Sequence, residues 1–304
     1  MTVHVVGSIN IDIIARVEQL PRPGETILAL GTERLAGGKG ANQAAAAARM
    51  GADCRMIGAV GTDEGGLWIR DLIAATGVDT AGIARVEADT GAAHIAVEAS
   101  GENQIIVLPG ANAHVAPPPE IASGVLLAQL EIPIDRLAAL FAASPRALRI
   151  LNAAPPSPAA LPMLADVDIL IVNEHELAAL SPGNSAPDQL RSLLSRSEQV
   201  GIVTLGAKGL LAVWPDRELF VPAWPVAALD TIGAGDCFCG ALAALLDEGL
   251  ALEQALAKAS AAAALCTLKP GALPAMPARE EVERFIYGPQ VNMRYQSRTA
   301  HARA

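Results

Sequence analysis

Short apolar runs alternate with helical stretches along most of the chain and predict an α/β fold. The strand-like runs cover residues 3–8, 55–60, 169–172 and 201–205, and the helical stretches cover residues 66–76, 137–142 and 188–195. This rhythm predicts a mostly parallel central sheet with helices on both faces.

A second group of strand-like segments breaks this rhythm. Residues 92–99 and 104–108 flank a polar turn at 100–103 and predict a hairpin. With residues 9–17 and 26–36, the hairpin region 92–108 predicts a small separate β-sheet that covers one end of the main sheet. Such a lid would exclude water from a reaction. An ordinary edge hairpin is the alternative.

Two glycine-rich segments precede helices. Gly37-Gly38-Lys39-Gly40 leads into a helical run that ends at Met50, with Gly51 after it. The segment 230–236 precedes an apolar stripe with helical spacing, and this stripe consists of Phe238, Ala241, Leu242, Leu245 and Leu246. The second helix is therefore predicted to begin near Gly235, with Asp236 in its first turn.

Length and composition favour one ordered domain. The chain has 304 residues, of which 52% are hydrophobic and 18% charged, so it is not a largely disordered protein. No linker divides it, and residues 1–288 are predicted to form a single domain. Residues 289–304 are polar and lack periodicity, which predicts a disordered tail.

Charge and cysteine usage exclude several classes of function. The formal net charge of −10 argues against a nucleic-acid or anionic-membrane partner. No basic, apolar leader and no apolar run of about 18 residues is present, so a cytoplasmic protein is expected. Four cysteines without metal-ligand spacing are interpreted as reduced thiols, namely Cys54, Cys237, Cys239 and Cys266.

Common catalytic motifs are missing from the sequence. Lys39 is followed by Gly40 instead of Ser or Thr, which excludes a P-loop. The glycines at 233 and 235 lack the third glycine of a dinucleotide fingerprint, so an oxidoreductase is disfavoured. There is no G-x-S-x-G hydrolase elbow.

Asp236 and the glycines before it are the strongest candidate for catalytic chemistry. Free backbone N–H groups at a helix start can neutralise charge on a phosphoryl group, while a carboxylate there accepts a hydroxyl proton. Gly233 and Gly235 would let a phosphate approach the backbone closely. The alternative is a helix start with an acid favoured by the helix dipole.

A second polar cluster lies near the beginning of the chain. Asn10 and Asp12 share one face of a strand by period two, and Gly38, Lys39 and Asn42 occupy a turn that enters a helix. Such groups suit a polyhydroxylated substrate, because sugar hydroxyls both donate and accept hydrogen bonds. Alternatively, Asp12 is a solvated strand residue and Lys39 lies in a surface turn.

The two clusters together resemble the ribokinase and wider PfkB carbohydrate kinase family. The order and spacing hold over residues 3–286. The motifs that carry the resemblance are Gly7-Ser8-Ile9-Asn10-Ile11-Asp12, Pro23-Gly24-Glu25-Thr26, Gly37-Gly38-Lys39-Gly40-Ala41-Asn42-Gln43, Gln129-Leu130-Glu131, Asn173-Glu174-His175-Glu176, Thr204-Leu205-Gly206-Ala207-Lys208-Gly209 and the segment 230–236.

The resemblance implies transfer of the ATP γ-phosphate to a sugar hydroxyl, with O5 of D-ribose as the leading acceptor. Asp236 would be the base, and the amides of Ala234, Gly235 and Asp236 would form an anion hole. The residues implied to hold the sugar are Asn10, Asp12, Gly38, Lys39, Asn42, Glu131 and Asp236. Those implied to line the nucleotide site are Asn173, Thr204, Gly206, Gly209 and Gly235.

The resemblance also implies two cations. Asn173 and Glu176 would organise Mg²⁺ and its waters near the phosphates, although without the family Glu174 and Glu176 read as an acidic pair at a helix start. A monovalent cation, usually K⁺, would be held at Asp230, Ile232, Thr267, Pro270, Ala272 and Ala275. The ligands there would be mostly backbone carbonyls, and Ala275 stands where the family often has serine, so it lacks that side-chain oxygen. Ser260 and Ala263 stand where ribokinases often have His and Asn, so the nucleotide preference stays open.

Other functions remain to be weighed against an ATP-dependent ribose kinase. A nucleoside kinase or a kinase for another sugar is the nearest alternative, since sugar contacts are partly shared. A phosphofructokinase-like activity would need more basic residues beside Lys39. A non-catalytic sugar- or nucleotide-binding regulator is the alternative from another class, and intact Asp236, Asn173 and Glu176 argue against it. Lid strands of the family often pair into a homodimer.

Overall fold

A computed structural model describes residues 1–98, 100 and 102–288 of the protein. The predicted tail, 289–304, lies outside these residues. The strands are β1 (Thr2–Val6), β2 (Asn10–Val17), β3 (Gly31–Gly37), β4 (Asp53–Gly61), β5 (Ile83–Val86), β6 (Gly91–Glu98), β7 (Asn103–Leu108), β8 (Val125–Gln129), β9 (Leu148–Asn152), β10 (Ile169–Asn173), β11 (Val200–Thr204), β12 (Gly209–Val213) and β13 (Glu218–Pro222). The helices are α1 (Lys39–Arg49), α2 (Glu64–Ala74), α3 (Ile134–Ala143), α4 (Glu174–Leu180), α5 (Ala186–Leu193), α6 (Ala234–Asp247), α7 (Leu252–Cys266) and α8 (Arg279–Tyr287).

The main sheet is mostly parallel and buried on both faces. Its strand order is β13-β12-β11-β10-β9-β8-β1-β4-β5, and only the β11–β12 and β12–β13 pairs are antiparallel. Side chains alternate between two cores: Val5 belongs to the core that includes residues of α1, α6 and α7, whereas Val6 belongs to the core that includes residues of α3 and α5. The predicted fold class is confirmed.

A second, four-stranded sheet has the order β3-β2-β6-β7. The β2–β6 pair is parallel, and the β2–β3 and β6–β7 pairs are antiparallel. The predicted separate sheet is confirmed, although the strand predicted over residues 26–36 begins only at Gly31. The reason is that β2 pairs with β3 only as far as Arg16 opposite Gly31. In the predicted hairpin, residues 99 and 101 lie outside the described part.

The two glycine-led helices begin where the sequence places them and pack directly against each other. In α6, Phe238, Leu242 and Leu245 are buried as predicted, whereas Leu246 is only half-buried. An ideal Cβ on Gly240 would lie 2.2 Å from the carbonyl oxygen of Gln43 in α1. The absence of a side chain at residue 240 therefore sets the distance between α1 and α6.

Two further observations concern the length of the helices and the state of the cysteines. None of the helices formed by the described residues is long and apolar enough to cross a bilayer. All four cysteines are free and buried. This agrees with their interpretation as reduced thiols.

Candidate active site

Polar residues end four neighbouring parallel strands of the main sheet. Gln129, Asn152, Asn173 and Thr204 are the last residues of β8, β9, β10 and β11. Gln129 pairs in register with Asn152, and Asn173 pairs with Thr204. The carboxyl edge of a parallel sheet is where ligands bind in open α/β folds, and this edge carries the polar groups here.

The start of α1 is held against this edge through a glycine. Gly38 has a φ of 89°, and a Cβ there would lie 2.7 Å from the backbone nitrogen of Asn10. The backbone N–H of Lys39 donates to Oε2 of Glu131 at 3.2 Å, and the Ser8 hydroxyl donates to the same oxygen. Glu131 and the glycine turn are thereby fixed together.

The first turn of α6 carries no side-chain cap. Its N-cap residue is Gly233, with a φ of 75°, and a Cβ there would lie 2.7 Å from Cβ of Ala272. The N–H of Ala234 makes a long 3.3 Å hydrogen bond to the carbonyl of Thr231. A Cβ on Gly235 would meet no atom within 4 Å. The first turn therefore adjoins open space, which is what an anion-binding helix start requires.

Asp236 is buried in that first turn and held by two amide side chains. It is 9% exposed. Oδ2 accepts a hydrogen bond of 3.0 Å from Nδ2 of Asn42, and Oδ1 accepts one of 3.0 Å from Nε2 of Gln43. Burial raises the pKa of Asp236, and Lys39, Gln43 and Asn42 oppose this rise. A buried carboxylate with raised pKa suits a general base.

Four carboxylates and one ammonium group interact at this place. Burial and the charges of Glu131 and Asp236 raise the pKa of Asp12 to about 6, against the opposing effect of Lys39. Burial alone would lower the pKa of Lys39, but Asp236, Glu131 and Glu176 raise it above its ordinary value. The structure thus brings together the two clusters that the sequence placed at opposite ends of the chain.

Asn10 and Asn42 present amide groups at the same site. Oδ1 of Asn10 accepts a hydrogen bond of 2.7 Å from Nδ2 of Asn112, which also bonds the backbone of Ile9. Nδ2 of Asn42 donates to Asp236, whereas the buried Oδ1 of Asn42 has no partner among the described residues. A buried acceptor without a partner is costly, so this oxygen suits a hydroxyl donor from a ligand.

Asn173 and Glu176 form a reciprocal cap at the start of α4. The N–H of Asn173 donates to Oε2 of Glu176 at 2.7 Å, and the N–H of Glu176 donates to Oδ1 of Asn173 at 2.8 Å. Burial raises the pKa of Glu176, and the charge of Asp236 adds to this rise. Glu174 is exposed and, within the described residues, its one ion pair is a 3.8 Å contact with Lys208. The two glutamates are therefore not equivalent.

The end of β11 and the segment after it contain three of the five predicted nucleotide residues. Thr204 ends β11, its hydroxyl donates to the carbonyl of Val172 at 3.4 Å, and Gly206 follows with a φ of 55° and open space around it. A Cβ on Gly209 would lie 2.1 Å from the carbonyl oxygen of Val221. Close packing against β13 therefore already requires a glycine at residue 209, whether or not a nucleotide binds there.

Asp230 joins the two segments that the resemblance implied for a monovalent cation. Its Oδ1 accepts from the N–H of Ile232 at 2.9 Å, and its Oδ2 accepts from the N–H of Gly271 at 2.8 Å. The carbonyl of Thr267 accepts from the N–H of Asp230 at 3.1 Å, and Ala275 donates its N–H to the carbonyl of Ala272 at 3.0 Å. Residues 230–232 and 267–275 thus form one folded unit beside Gly233.

A comparison with family models decides the classification. The model of the family described as "pfkB family carbohydrate kinase" matches residues 2–279 of this chain. The chain belongs to this family. Its activity is accordingly that of an ATP-dependent sugar kinase.

Individual relatives agree with this classification. The chain is 35% identical to a ribokinase of Bacillus subtilis over 292 residues, which cover 93% of this chain and 98% of the relative. A crystal structure of a ribokinase from Thermotoga maritima matches with a TM-score of 0.86 and 33% identity, covering 94% and 99% of the two chains. A ribokinase of Arabidopsis thaliana, complexed with ribose and ATP, matches with a TM-score of 0.84 and 33% identity, covering 93% and 97%.

Sequence reasoning gave no role to several polar residues of this kinase that the site uses. Gln43 contacts Asp236 directly, Asn152 contacts Gln43, and Asn112 contacts Asn10. Gln129 and Asn152 each end a buried apolar strand, a position that could have marked them as site residues. Asn112 lies in a 3₁₀ turn that no periodic pattern distinguishes.

Proposed function

We propose that this kinase transfers the γ-phosphate of ATP to O5 of D-ribose. One observation carries the proposal: Asp236, at the uncapped start of α6, is bonded to Asn42 of the glycine-led helix α1. A base, a set of backbone amides and a cluster of sugar-type contacts therefore meet at one point. The likeness to a ribokinase with bound ribose and ATP supports ribose as the acceptor.

Asp236 would accept the proton of the attacking hydroxyl as the phosphoryl group transfers. The raised pKa of Asp236 helps, since a base is effective when its pKa approaches the working pH. Backbone amides of Ala234, Gly235 and Asp236 would offset negative charge on the phosphoryl oxygens. Of these three amides, the N–H of Ala234 already donates to the carbonyl of Thr231 over a long 3.3 Å, so it would have to divide its hydrogen bond between that carbonyl and the phosphoryl oxygen.

The sugar would be held by the amides and charges around Asp12. Asn42 offers an acceptor through its unpartnered Oδ1, and Asn112 fixes the amide plane of Asn10. Lys39 and the backbone at Gly38 would bind hydroxyl oxygens, while Asp12 and Glu131 would accept from hydroxyl donors. Nucleotide binding is proposed at Asn173, Thr204, Gly206, Gly209 and Gly235.

Mg²⁺ is the divalent cation that the residues at Asn173 and Glu176 would organise through water. The donor set fits: Glu176 is a half-buried carboxylate with one oxygen, Oε2, taken by the cap, so its other oxygen is available to a bound water. Mg²⁺ usually keeps several waters and binds substrate phosphates. It would supply charge neutralisation between the phosphate oxygens.

K⁺ is proposed beside the anion hole, at Asp230, Ile232, Thr267, Pro270, Ala272 and Ala275. The folded unit that Asp230 joins supplies mainly carbonyl oxygens, each with two lone pairs. Asp230 already accepts two N–H groups, and Ala275 has no side-chain oxygen to contribute. The fit is therefore weaker than that of Mg²⁺, and its role would be to steady the start of α6.

The second sheet is proposed to act as a lid over the sugar and as a dimer contact. All residues of its edge strand β7 are exposed, with Ile106 at 67% and Ile105 at 55%. An apolar edge strand with unpaired backbone groups is a site for pairing with another strand. We propose that a second copy of this chain covers it.

A cytoplasmic location is proposed for the protein. Its free cysteines and its use of ATP support this location.

A coupled assay of ADP release over pentoses, hexoses and nucleosides tests the substrate. D-ribose should give the highest kcat/KM, and omission of Mg²⁺ should abolish turnover, whereas omission of K⁺ should lower it. The position of the product phosphate on ribose should be C5, as read by ³¹P–¹H NMR. A higher kcat/KM for a nucleoside or another sugar would overturn the ribose assignment.

A further inference from the structure

A network of three amide side chains lies behind Asp236, and its direction is set by a main-chain carbonyl. Nδ2 of Asn152 donates to the carbonyl oxygen of Ile171 at 3.3 Å. A main-chain carbonyl is always an acceptor, so the Nδ2 side of Asn152 must face it. Oδ1 of Asn152 is thereby turned the other way, towards Gln43.

Gln43 can adopt only one amide orientation in this network. Its Nε2 donates to Oδ1 of Asn152 at 3.1 Å, and its Oε1 accepts from Nε2 of Gln129 at 2.6 Å. Reversal of the amide would place two oxygens against each other at Asn152, whose own orientation is fixed by the Ile171 carbonyl. Gln43 is completely buried, which makes such a reversal costly.

The same Nε2 group has a second N–H, which donates to Oδ1 of Asp236 at 3.0 Å. The other oxygen of Asp236 accepts from Asn42. The carboxylate is thus held by one donor on each oxygen. Only an acceptor oxygen satisfies the Gln43 N–H, which favours the ionised form of Asp236.

We propose that Gln43 is a positioning residue that fixes the orientation and the charge state of Asp236, with Gln129 and Asn152 fixing Gln43 in turn. This inference rests on the proposed role of Asp236 as the base. Gln43 does not have to touch the sugar, and its effect would appear in the chemical step instead of in sugar binding.

Several charged or titratable groups also surround Asp236 and act on it. Lys39 on α1 lowers its pKa, and Glu131 after β8 raises it. Asp12 on β2, Glu176 on α4, the thiols Cys237 and Cys239 on α6, and Cys266 on α7 each interact with its charge. All of these remain in a Gln43 variant, so a change in the pH profile reports the lost amide donor.

Gln43→Leu is the variant that removes the donor at similar size. The expected result is an upward shift of the acid limb of the kcat–pH profile and a kcat about 10-fold lower at pH 7, with the KM for ribose within about twofold. The sign follows because loss of a donor to the carboxylate favours its protonated form. The control is Gln189→Leu on α5, where the amide donates to the carbonyl of Ser181 outside the site. It should leave both the profile and kcat unchanged.

Gln129→Leu tests the same inference without touching Asp236. This variant removes the hydrogen bond that holds Oε1 of Gln43. The acid limb of its kcat–pH profile should therefore shift upwards as in Gln43→Leu, but by a smaller amount. If Gln43→Leu does not fold, the Gln129→Leu profile decides alone. A profile that superimposes on that of the wild type, or an effect confined to the KM for ribose, overturns the inference. Asp236→Asn is measured alongside: if that variant retains full kcat, the proposed base itself is wrong, which is a separate failure.

Discussion

Asn42 and Asp236 are 194 positions apart in the chain, yet a 3.0 Å hydrogen bond joins Nδ2 of one to Oδ2 of the other. Asn42 lies on α1 and Asp236 lies on α6, so the contact exists only because these helices pack closely. The two backbones approach each other closely at Gly240, where no Cβ separates α6 from the Gln43 carbonyl. The separation of the two helices is therefore part of the site geometry.

Gly240→Ala and Gly235→Ala should separate the effects of packing from those of ligand space. At Gly240 a methyl group would collide with the backbone of α1, so the free energy of unfolding should fall by about 1–3 kcal/mol. At Gly235 the methyl group meets no atom of the protein, so stability should be unchanged or rise by about 0.4–1 kcal/mol. Chemical denaturation of both variants measures this difference.

Activity should fall in both variants for different reasons. Gly235→Ala places a methyl group where the phosphate is proposed to bind, and kcat/KM for ATP should drop at least ~10-fold in a fully stable protein. Gly240→Ala should lower kcat through displacement of Asn42 and Gln43. Wild-type ATP kinetics in Gly235→Ala would show that phosphates do not occupy that space.

Asp12→Asn should raise stability at neutral pH and weaken sugar binding. The pKa of Asp12 is about 6 in the folded protein, above its ordinary value of 3.8, so the fold binds this proton more tightly than the unfolded chain does. The ionised carboxylate therefore costs stability above pH 6, and the cost disappears as the pH falls from 6 towards 4. At pH 8 the variant should gain about 1–3 kcal/mol in the free energy of unfolding.

Thermal and urea unfolding at pH 8 and pH 4 test this sign. The gain should shrink at the lower pH, and a gain that is equal at both values would contradict the raised pKa. For the wild type, the KM for ribose should increase as the pH falls through about 6, since a protonated Asp12 loses acceptor capacity. In Asp12→Asn this increase should be absent.

The sequence predicted those features that depend on local pattern. The period of apolar residues located four of the nine strands of the main sheet, namely β1, β4, β10 and β11. Glycines with positive φ marked the starts of α1 and α6. The two clusters around Asp12 and Asp236 could be joined only through a family resemblance. Their contact depends on packing between α1 and α6, which no local pattern encodes.

The residues that sequence reasoning missed share one physical property. Gln43, Gln129 and Asn152 act by hydrogen bonds to one another across three different elements. Their roles depend on distances that only the folded structure sets. Glutamine and asparagine are common on protein surfaces, so the residue type alone does not mark a buried network. The strand predicted over residues 26–36 was too long for a similar reason. Its true start at Gly31 depends on where β2 stops offering a pairing partner, which the local sequence does not show.

Glu176→Gln should raise the Mg²⁺ requirement of the kinase. The glutamine keeps an acceptor oxygen for the N–H of Asn173, so the cap of α4 and the stability should change little. Loss of the charge should increase the Mg²⁺ concentration for half-maximal activity by about 10-fold or more. A titration of activity against free Mg²⁺ at saturating ATP and ribose measures this shift.

Glu174→Gln is the matched control on the same helix. Glu174 is exposed, and the ion pair that it forms with Lys208 is long, at 3.8 Å. This variant should titrate like the wild type. Equal shifts in the two variants would assign the effect to general surface charge instead of to Glu176.

Ile106→Lys should dissociate the proposed dimer. Ile106 lies on the edge strand β7 and is 67% exposed, so a lysine there leaves the monomer intact while it opposes pairing of two apolar edges. Sedimentation velocity at micromolar concentration should give a dimer for the wild type and a monomer for the variant. Phe220→Lys, on the edge strand β13 of the main sheet, serves as the control and should stay dimeric. A wild-type monomer under these conditions would contradict the lid dimer.

The catalytic role of Asp236 is tested most directly by the kcat of Asp236→Asn with ribose and MgATP, measured together with the Kd for ribose by calorimetry. We expect kcat to fall by about 10²-fold or more, since a general base contributes about 10²–10⁴-fold. The fold and measurable ribose binding should survive, because asparagine keeps the shape of the side chain. Near-normal turnover in this variant would contradict the account.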